Sequence, residues 1–229
     1  MAQGEDAYLE KAFSAKQLGL FAEVFDFFKP FDIYAHALNS AGIASYEKIK
    51  KSGKLQSHYL GQHKWGFRPG LMLYGYQPSL EFDEIPVQPV MTLKSVVNNI
   101  RSIKKDESVS YGCSWKAHRD SKIAVVPIGY ADGIHRLISN SGFALFAGHK
   151  VPIVGRVCMD FLMLDVTDVV HDEKIEKWNE EEVILFGEDQ SKKFLSAEQI
   201  ASSSQTIVWE ILTAVGERVP RHYKGQSSL

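Results

Sequence analysis

The stretch SKIAVVPIGYADG, residues 121–133, decides the fold of the larger part of this chain. It starts as a short apolar strand and ends in Gly and Asp, residue types that favour turns. The same texture returns three times after Leu80, in PVMTLKSVVNNIRSI (89–103), FALFAGHKVPIVGRV (143–157) and FLMLDVTDV (161–169). Short strands separated by Gly, Asp and Asn turns predict an antiparallel, barrel-like β domain. We assign residues 83–229 to this domain.

The first third of the chain has a different pattern, in which helix and strand alternate. FSAKQLGLFAEVFDFF (13–28) repeats apolar residues at helical spacing, and FDIYAHAL (31–38) follows as a short buried strand. A polar helix from Ser40 to Lys51 comes next, and then the strand WGFRPGLMLYGY (65–76). Two such βα-type units predict a parallel sheet or barrel.

Two capping boxes mark the predicted helix starts. Ser14 has Gln17 three residues on, and Ser196 has Gln199 three residues on, so each serine is expected to cap the helix that follows it. The second of these helices lies within LSAEQIASSSQTIVWEILTAVG (195–216), where Gly216 is the expected C-cap.

Composition excludes several classes of function. The 229 residues carry a formal net charge of −2, which gives no electrostatic reason to expect nucleic acid or an anionic membrane as partner. The two cysteines form no CxxC motif and no cluster with histidine, so we expect no metal site and no disulfide. The start of the chain does not read as a signal peptide and no segment reads as a membrane span, so we expect a cytoplasmic protein.

Eight stretches, taken together, resemble one family. They are HALNSAG (36–42), RPGLMLYG (68–75), VMTLKS (90–95), VSYG (109–112), VPIGYADG (126–133), VPIVGRVCMD (151–160), EEVILFGE (181–188) and WEILTAVGERVPRHY (209–223). In this order and spacing they resemble the pyridoxal-phosphate-dependent alanine racemases. The resemblance implies that residues 1–82 are the last two βα units of a cofactor-binding (β/α)8 barrel. The KANAYGHG-like motif of the family, which carries the lysine that forms the Schiff base, does not occur in this sequence.

The activity that the resemblance implies is the interconversion of L-alanine and D-alanine, which supplies D-alanine for peptidoglycan. The family uses two bases, a lysine and a tyrosine, and Tyr111 matches the tyrosine. Its small neighbours Ser110 and Gly112 would leave room for a substrate. A phenol with a pKa of about 10 is a weak base near neutrality, so such a site has to lower that pKa. Read alone, Tyr111 fits a packed strand aromatic better than a catalytic residue.

The resemblance also implies a pyridoxal phosphate site. Arg68 matches the arginine that contacts the pyridine nitrogen, and His36 matches a histidine that supports it. The phosphate site is matched by Ser40, Gly70, Leu71 and Trp209, of which Trp209 stands where the family usually has a tyrosine. Without the resemblance, His36 reads as a core histidine and Ser40 as a helix cap.

Substrate contacts are implied in the β domain. The backbone N–H of Met159 matches a group that holds the substrate carboxylate, and Tyr130, Arg136, Arg156 and Asp160 match residues at the substrate entrance. Taken singly, Met159 also suits a core position and the arginines a solvated surface. In the family Tyr111 and Met159 reach the cofactor of the other subunit, so a homodimer with shared active sites is implied.

Three interpretations stay open at this point. The chain is part of an alanine racemase and does not racemise alone, because the Schiff-base lysine motif is absent. Alternatively, it is a non-catalytic dimerisation module or half of a split enzyme that docks onto a separately encoded N-terminal half. A third possibility keeps the chemistry and changes the substrate to serine or another amino acid.

Overall fold

The computed structural model describes residues 12–28, 30–31, 33–51, 65–78, 85–171 and 175–225. The chain divides into two compact units, Met1–Val90 and Met91–Leu229. The domain boundary proposed from the sequence, between residues 82 and 83, stays a prediction. None of the helices in the described ranges is long and apolar enough to cross a membrane.

The described residues of the first unit form a parallel pair of strands and three α-helices. In chain order these are α1 (Ala12–Phe27), β1 (Ala35–Asn39), α2 (Ser40–Lys51), β2 (Trp65–Arg68) and α3 (Gly70–Leu73). β1 and β2 pair in parallel, with His36 opposite Gly66 and Asn39 opposite Arg68. The two βα units read from the sequence are therefore present, whereas their place in a closed barrel stays a prediction.

Local boundaries in this unit differ from the sequence-based expectations. Because α1 already includes Ala12, a strong helix former, Ser14 lies inside the helix and the predicted cap there is wrong. The second strand ends at Arg68 instead of running on to residue 76, since Pro69 has no N–H to continue the pairing. The predicted bounds of α2 are confirmed. Its N-terminal cap is Asn39, whose Oδ1 accepts the N–H of Gly42 at 3.0 Å.

The second unit is built from antiparallel strands, as predicted. They are β3 (Leu93–Val96), β4 (Asn99–Ile103), β5 (Ser108–Val109), β6 (Trp115–Lys116), β7 (Ser121–Val126), β8 (Phe143–Phe146), β9 (His149–Pro152), β10 (Leu162–Asp165), β11 (Glu182–Glu188) and β12 (Phe194–Leu195). The opening stretch supplies β7, the centre of a three-stranded sheet in the order β10-β7-β4. A second sheet has the order β12-β11-β8-β9, with β3 also paired to β11, and β5 pairs with β6.

Two short helices end this unit, α4 (Ala197–Ser203) and α5 (Val208–Ala214), where the sequence suggested one helical stretch. Ser196 caps α4 as predicted, because its hydroxyl accepts the N–H of Glu198 at 3.1 Å. The predicted partner Gln199 instead accepts a hydrogen bond from Lys150. Val215 is the C-cap of α5, so the cap expected at Gly216 is displaced by one residue.

The core of the second unit is formed by apolar side chains from both larger sheets. The large side chains that are almost fully buried here are Phe146, Phe186, Ile138, Ile153, Leu162, Leu164, Ile184, Leu185, Val97, Val126 and Val157. Alternate positions of β7 point into this core: Ala124 and Val126 are both 0 % exposed. This packed core therefore gives the surface turns of the second unit a rigid support.

Candidate active site, described in two parts

The first part lies at the carboxyl ends of β1 and β2. Each strand leads directly into a helix, so the N-termini of α2 and α3 begin side by side. Ser40, the first residue of α2, is buried, and its Oγ accepts the N–H of Met72 in α3 at 3.2 Å. This hydrogen bond ties the two helix starts together and leaves the hydroxyl proton of Ser40 available to a ligand.

Backbone N–H groups also converge at this end of the sheet. Pro69 precedes α3 and provides no side-chain cap, so the first N–H groups of the helix, those of Gly70 and Leu71, lack a partner among the described residues. A Cβ at Gly70 would meet nothing within 4 Å, which leaves open space above the backbone. Leu71 is buried and anchors the turn. A hydroxyl and two N–H groups at adjoining helix starts are donors that fit a phosphate.

His36 and Arg68 lie on one face of the parallel pair. His36 is opposite Gly66, and Arg68 follows Gly66 by two residues, so the alternation of a strand puts both side chains on the same side. Both are exposed, and no hydrogen bond joins them in the described part of the unit. Arg68 is permanently charged and can only donate, which suits an acceptor nitrogen.

The second part contains Tyr111, which occupies a 3-10 turn, Tyr111–Cys113, between β5 and β6. Its side chain is 72 % exposed, so it is not the packed strand aromatic that the local sequence also allowed. Ser110 has φ 69° and ψ 179°, a region that is almost restricted to glycine. Gly112 and Cys113 also have positive φ values, of 69° and 47°. Three residues with positive φ therefore shape the turn from which the phenol projects.

This strained turn is held from outside by distant residues. The hydroxyl of Ser110 donates to the carbonyl of Arg156 at 2.8 Å. Asn140 donates from Nδ2 to the carbonyl of Ser114 at 3.3 Å and accepts the N–H of Gly155 at 2.6 Å. A Cβ at Gly155 would lie 2.6 Å from the Cβ of Ser110, so only glycine allows this approach. Asn140 is a residue that the sequence did not single out.

Met159 lies in a loop that contacts the turn beginning at Gly129. Tyr130 donates its N–H to the carbonyl of Cys158 at 2.9 Å, and Ala131 donates to the carbonyl of Met159 at 3.0 Å. A Cβ at Gly129 would lie 2.3 Å from both carbonyl oxygens, so the two backbones touch. Within the described ranges, the N–H of Met159 has no acceptor. Met159 is exposed and is not a core methionine.

Asp160 forms an ion pair that has no signal in the local sequence. Its carboxylate contacts Nη2 of Arg218 at 2.7 Å, and Nε of the same arginine lies 3.5 Å from Oδ1 of Asp132. The other oxygen of Asp132 accepts the N–H of Gly129 at 2.9 Å. The hydrogen bond to Asp160 and the charge of Asp132 raise the pKa of Arg218.

Arg136 and Arg156 are exposed, and neither has a carboxylate partner in the described ranges. Arg156 lies beside the Tyr111 turn, because a Cβ at Gly112 would be 3.6 Å from its Nε. Trp209 lies in the first turn of α5 and is partly buried. Among the described residues, no group of three or more His, Cys, Asp or Glu side chains could hold a metal ion.

Comparison with known proteins identifies the family to which this chain is similar. A family model described as "Alanine racemase, C-terminal domain" matches residues 90–223. The alanine racemase of Halothermothrix orenii is 36% identical over 221 residues, which are 95% of this chain and 53% of the relative. The alanine racemase of Clostridium novyi is 44% identical over 160 residues, 69% of this chain and 40% of the relative.

A solved structure gives the same relationship. The alanine racemase of Bartonella henselae with covalently bound pyridoxal phosphate matches 97% of this chain and 55% of its own, at 33% identity and a TM-score of 0.74. The chain therefore spans about half the length of the Halothermothrix orenii and Bartonella henselae proteins. Because the family model covers more than half of its residues, this chain belongs to the alanine racemase family.

Proposed function

We propose that this chain contributes one of two bases, and part of the cofactor site, to a pyridoxal-phosphate-dependent racemase that acts on alanine. The observation that carries the proposal is the position of Tyr111, a largely exposed phenol on a strained turn fixed by Ser110 and Asn140. Strain of this kind persists where the surroundings enforce it and clusters at functional sites. The names of the relatives support alanine as substrate.

The cofactor fits the donors in the first unit. The hydroxyl of Ser40 and the N–H groups of Gly70 and Leu71 would hold the phosphate. A contact of Trp209 with the phosphate stays a prediction from the resemblance. Arg68 would donate to the pyridine nitrogen, and His36 would support Arg68. When bound, pyridoxal phosphate supplies the electron-withdrawing carbonyl chemistry that acidifies the α-proton of an amino acid. We also propose that β1–α2 and β2–α3 are the last two βα units of a (β/α)8 barrel.

Tyr111 then exchanges a proton with the α-carbon on one face of the substrate. Racemisation requires a second base on the opposite face, because the proton has to leave from one side and return on the other. The N–H of Met159, which has no acceptor in the described ranges, would bind the substrate carboxylate. The unpaired charges of Arg136 and Arg156, together with Tyr130, would attract carboxylates to the entrance, and Asp160 would border it.

We propose a homodimer in which the surface that carries Tyr111 and Met159 contacts a second copy of the chain. Several large apolar or aromatic side chains of the second unit are exposed: Tyr111, Tyr130, Leu137, Met159 and Phe161. Exposed apolar residues in such number are typical of an interaction surface, and a two-fold dimer would place each one in a shared interface. The two free cysteines, Cys113 and Cys158, suit a reducing compartment such as the cytoplasm, where D-alanine would feed peptidoglycan synthesis.

A chimera tests the catalytic role of Tyr111. The part of the Halothermothrix orenii racemase that precedes the aligned region is joined to this chain, and conversion of L-alanine and of L-serine is followed by chiral chromatography. We expect alanine racemisation, and we expect Tyr111→Phe to lower kcat by about 10²–10⁴-fold, as loss of a general base does.

Tyr223→Phe is the matched control, since Tyr223 is also 72 % exposed. It should leave kcat unchanged. The proposal fails if Tyr111→Phe racemises at the parent rate, or if the 229-residue chain alone racemises alanine with no dependence on Tyr111. Faster turnover of serine than of alanine would move the proposal to another substrate.

A further inference from the structure

Arg218, in the second unit, forms ion pairs that the proposed chemistry does not explain. It forms ion pairs with two carboxylates that belong to different turns, Asp160 at 2.7 Å and Asp132 at 3.5 Å. One of these turns carries Met159 and the other carries Tyr130. The chain places Arg218 just beyond α5, 58 residues after Asp160, so this contact is made only in the folded unit.

The carboxylate of Asp132 is mostly buried, with 13 % of its side chain exposed. It also accepts the N–H of Gly129, which orients it within its own turn. Arg218 is well suited to this position because a guanidinium presents several donors in a fixed plane and can contact two carboxylates at once. A lysine offers one compact charge and holds such a pair less well.

The charges of Asp132, Asp160 and Arg218 matter because the loop that carries Met159 is proposed to bind an anion. If Arg218 were neutral, the carboxylates of Asp132 and Asp160 would present two uncompensated negative charges next to the N–H of Met159. Repulsion between like charges would oppose the binding of a carboxylate there. Arg218 therefore acts both as a clamp between the turns and as a counter-charge.

We propose that Arg218 is a positioning residue, which joins the Met159 loop to the Tyr130 turn and makes the N–H of Met159 able to bind a carboxylate. This inference rests on the proposed function, because it presumes that Met159 binds the substrate carboxylate. Arg218 does not itself touch the substrate in this scheme. Its effect passes through Asp160 and Asp132.

The test uses the full chain labelled with nitrogen-15 and titrated with sodium acetate at constant ionic strength. Acetate is the probe, and the reporter is the amide resonance of Met159. We expect Arg218→Gln to weaken the acetate response of Met159 by about tenfold, because the uncompensated carboxylates of Asp132 and Asp160 would repel the anion. Arg218→Lys should recover part of the affinity, and adding Asp160→Asn to Arg218→Gln should recover part of it by removing one negative charge.

Arg119→Gln is the matched control. Arg119 is 56 % exposed against 55 % for Arg218, and it pairs with Asp168 at 2.6 Å, a contact outside the proposed site. This variant should titrate like the parent chain. The inference is overturned if Arg218→Gln and Arg119→Gln bind acetate equally well.

A second measurement separates this inference from the proposed function. If the Met159 amide of the parent chain does not respond to acetate, the proposed carboxylate site is wrong. The clamp is then judged by hydrogen exchange of the Tyr130 and Ala131 amides, which donate to the carbonyls of Cys158 and Met159. Arg218→Gln should accelerate both by about tenfold relative to Arg119→Gln, and unchanged rates overturn the clamp as well.

Discussion

The two units of this chain treat their apolar residues differently. In the second unit large side chains such as Phe146 and Phe186 are almost completely buried. In the first unit Leu20, Val24 and Phe27 recur at helical spacing on α1 and are exposed, Phe27 by 74 %. Parallel sheets are normally covered by helices on both faces. The described pair of strands is too small a sheet to pack against a full set of covering helices. The comparison shows that the spacing of apolar residues can specify a helix even where too few other elements surround it to bury its apolar side chains.

The exposed stripe on α1 differs from the one that the sequence suggested. Phe21, Phe25 and Phe28 repeat at helical spacing, and a barrel piece of only two βα units would expose the apolar face that they form. Phe28 is exposed at 40 %, whereas Phe21 and Phe25 are partly buried, and the side chains of Leu20, Val24 and Phe27 are more exposed than any of these three. Because α1 is apolar around most of its circumference, sequence periodicity alone does not identify the face that points to solvent.

The largest expected effect concerns amide exchange. In the isolated chain, amides of β1 and β2 should exchange at least about a thousandfold faster than amides of β7 and β11, since opening free energies range from near zero to the global stability. Hydrogen-exchange mass spectrometry resolves these segments. Equal protection of both pairs of strands in a monomer would contradict the comparison between the units.

A core substitution is expected to have the next largest effect. Phe146 is fully buried, and its ring centroid lies 5.4 Å from that of Trp178, so Phe146→Ala should leave a cavity and lower the free energy of unfolding by about 3–5 kcal/mol. Urea unfolding followed by tryptophan fluorescence measures this change. Phe194→Ala, at an exposed phenylalanine of the same unit, should cost less than about 1 kcal/mol. Similar costs for both variants would mean that the second unit lacks a specific core.

The smallest expected effect comes from a surface charge of the second unit. The hydrogen bond from Lys104 at 2.7 Å, with the N–H of Lys105 at 3.0 Å, lowers the pKa of the Asp120 carboxyl. A folded-state pKa below the unfolded value stabilises the fold above the unfolded pKa of about 3.9 and loses that contribution as the pH falls through the folded pKa. Asp120→Asn should therefore lower the urea midpoint slightly at pH 7 and not at pH 2.

Asp106→Asn controls for the change in net charge in this experiment, because the Asp106 side chain has no hydrogen-bond partner in the described ranges. A loss of stability for Asp120→Asn that is the same at both pH values would show that the carboxylate charge is not the cause. A small effect here, set beside a large one at Phe146, would locate the stability of the second unit in its core.

Much of the fold was predictable because its signals are local. The bounds of α2 and the cap at Ser196 follow from residues within a few positions of each helix end. The antiparallel strands follow from short apolar runs and the turns between them. The prediction at Ser14 was wrong because good helix formers precede the capping signal and the helix includes them.

The candidate site was only partly predictable, because its geometry depends on contacts between distant residues. Tyr111 could be named from its motif, but the turn that exposes it depends on Asn140, Gly155 and the carbonyl of Arg156. The ion pairs of Arg218 with Asp132 and Asp160 left no signal in the local sequence. Long-range contacts between polar side chains have no periodicity that a single sequence could reveal.

By itself, the sequence determined which segments become strands and helices, and which residue types are available to donate, accept or carry charge. Backbone preference and hydrophobic spacing act over a few residues, and they are written into consecutive positions. Tertiary structure alone decided that the phenol of Tyr111 points outward and that one arginine joins two acidic turns. It also decided that the N–H of Met159 has no acceptor among the residues that the structure describes. These features exist only after folding, because each requires groups far apart in the chain to come within hydrogen-bonding distance.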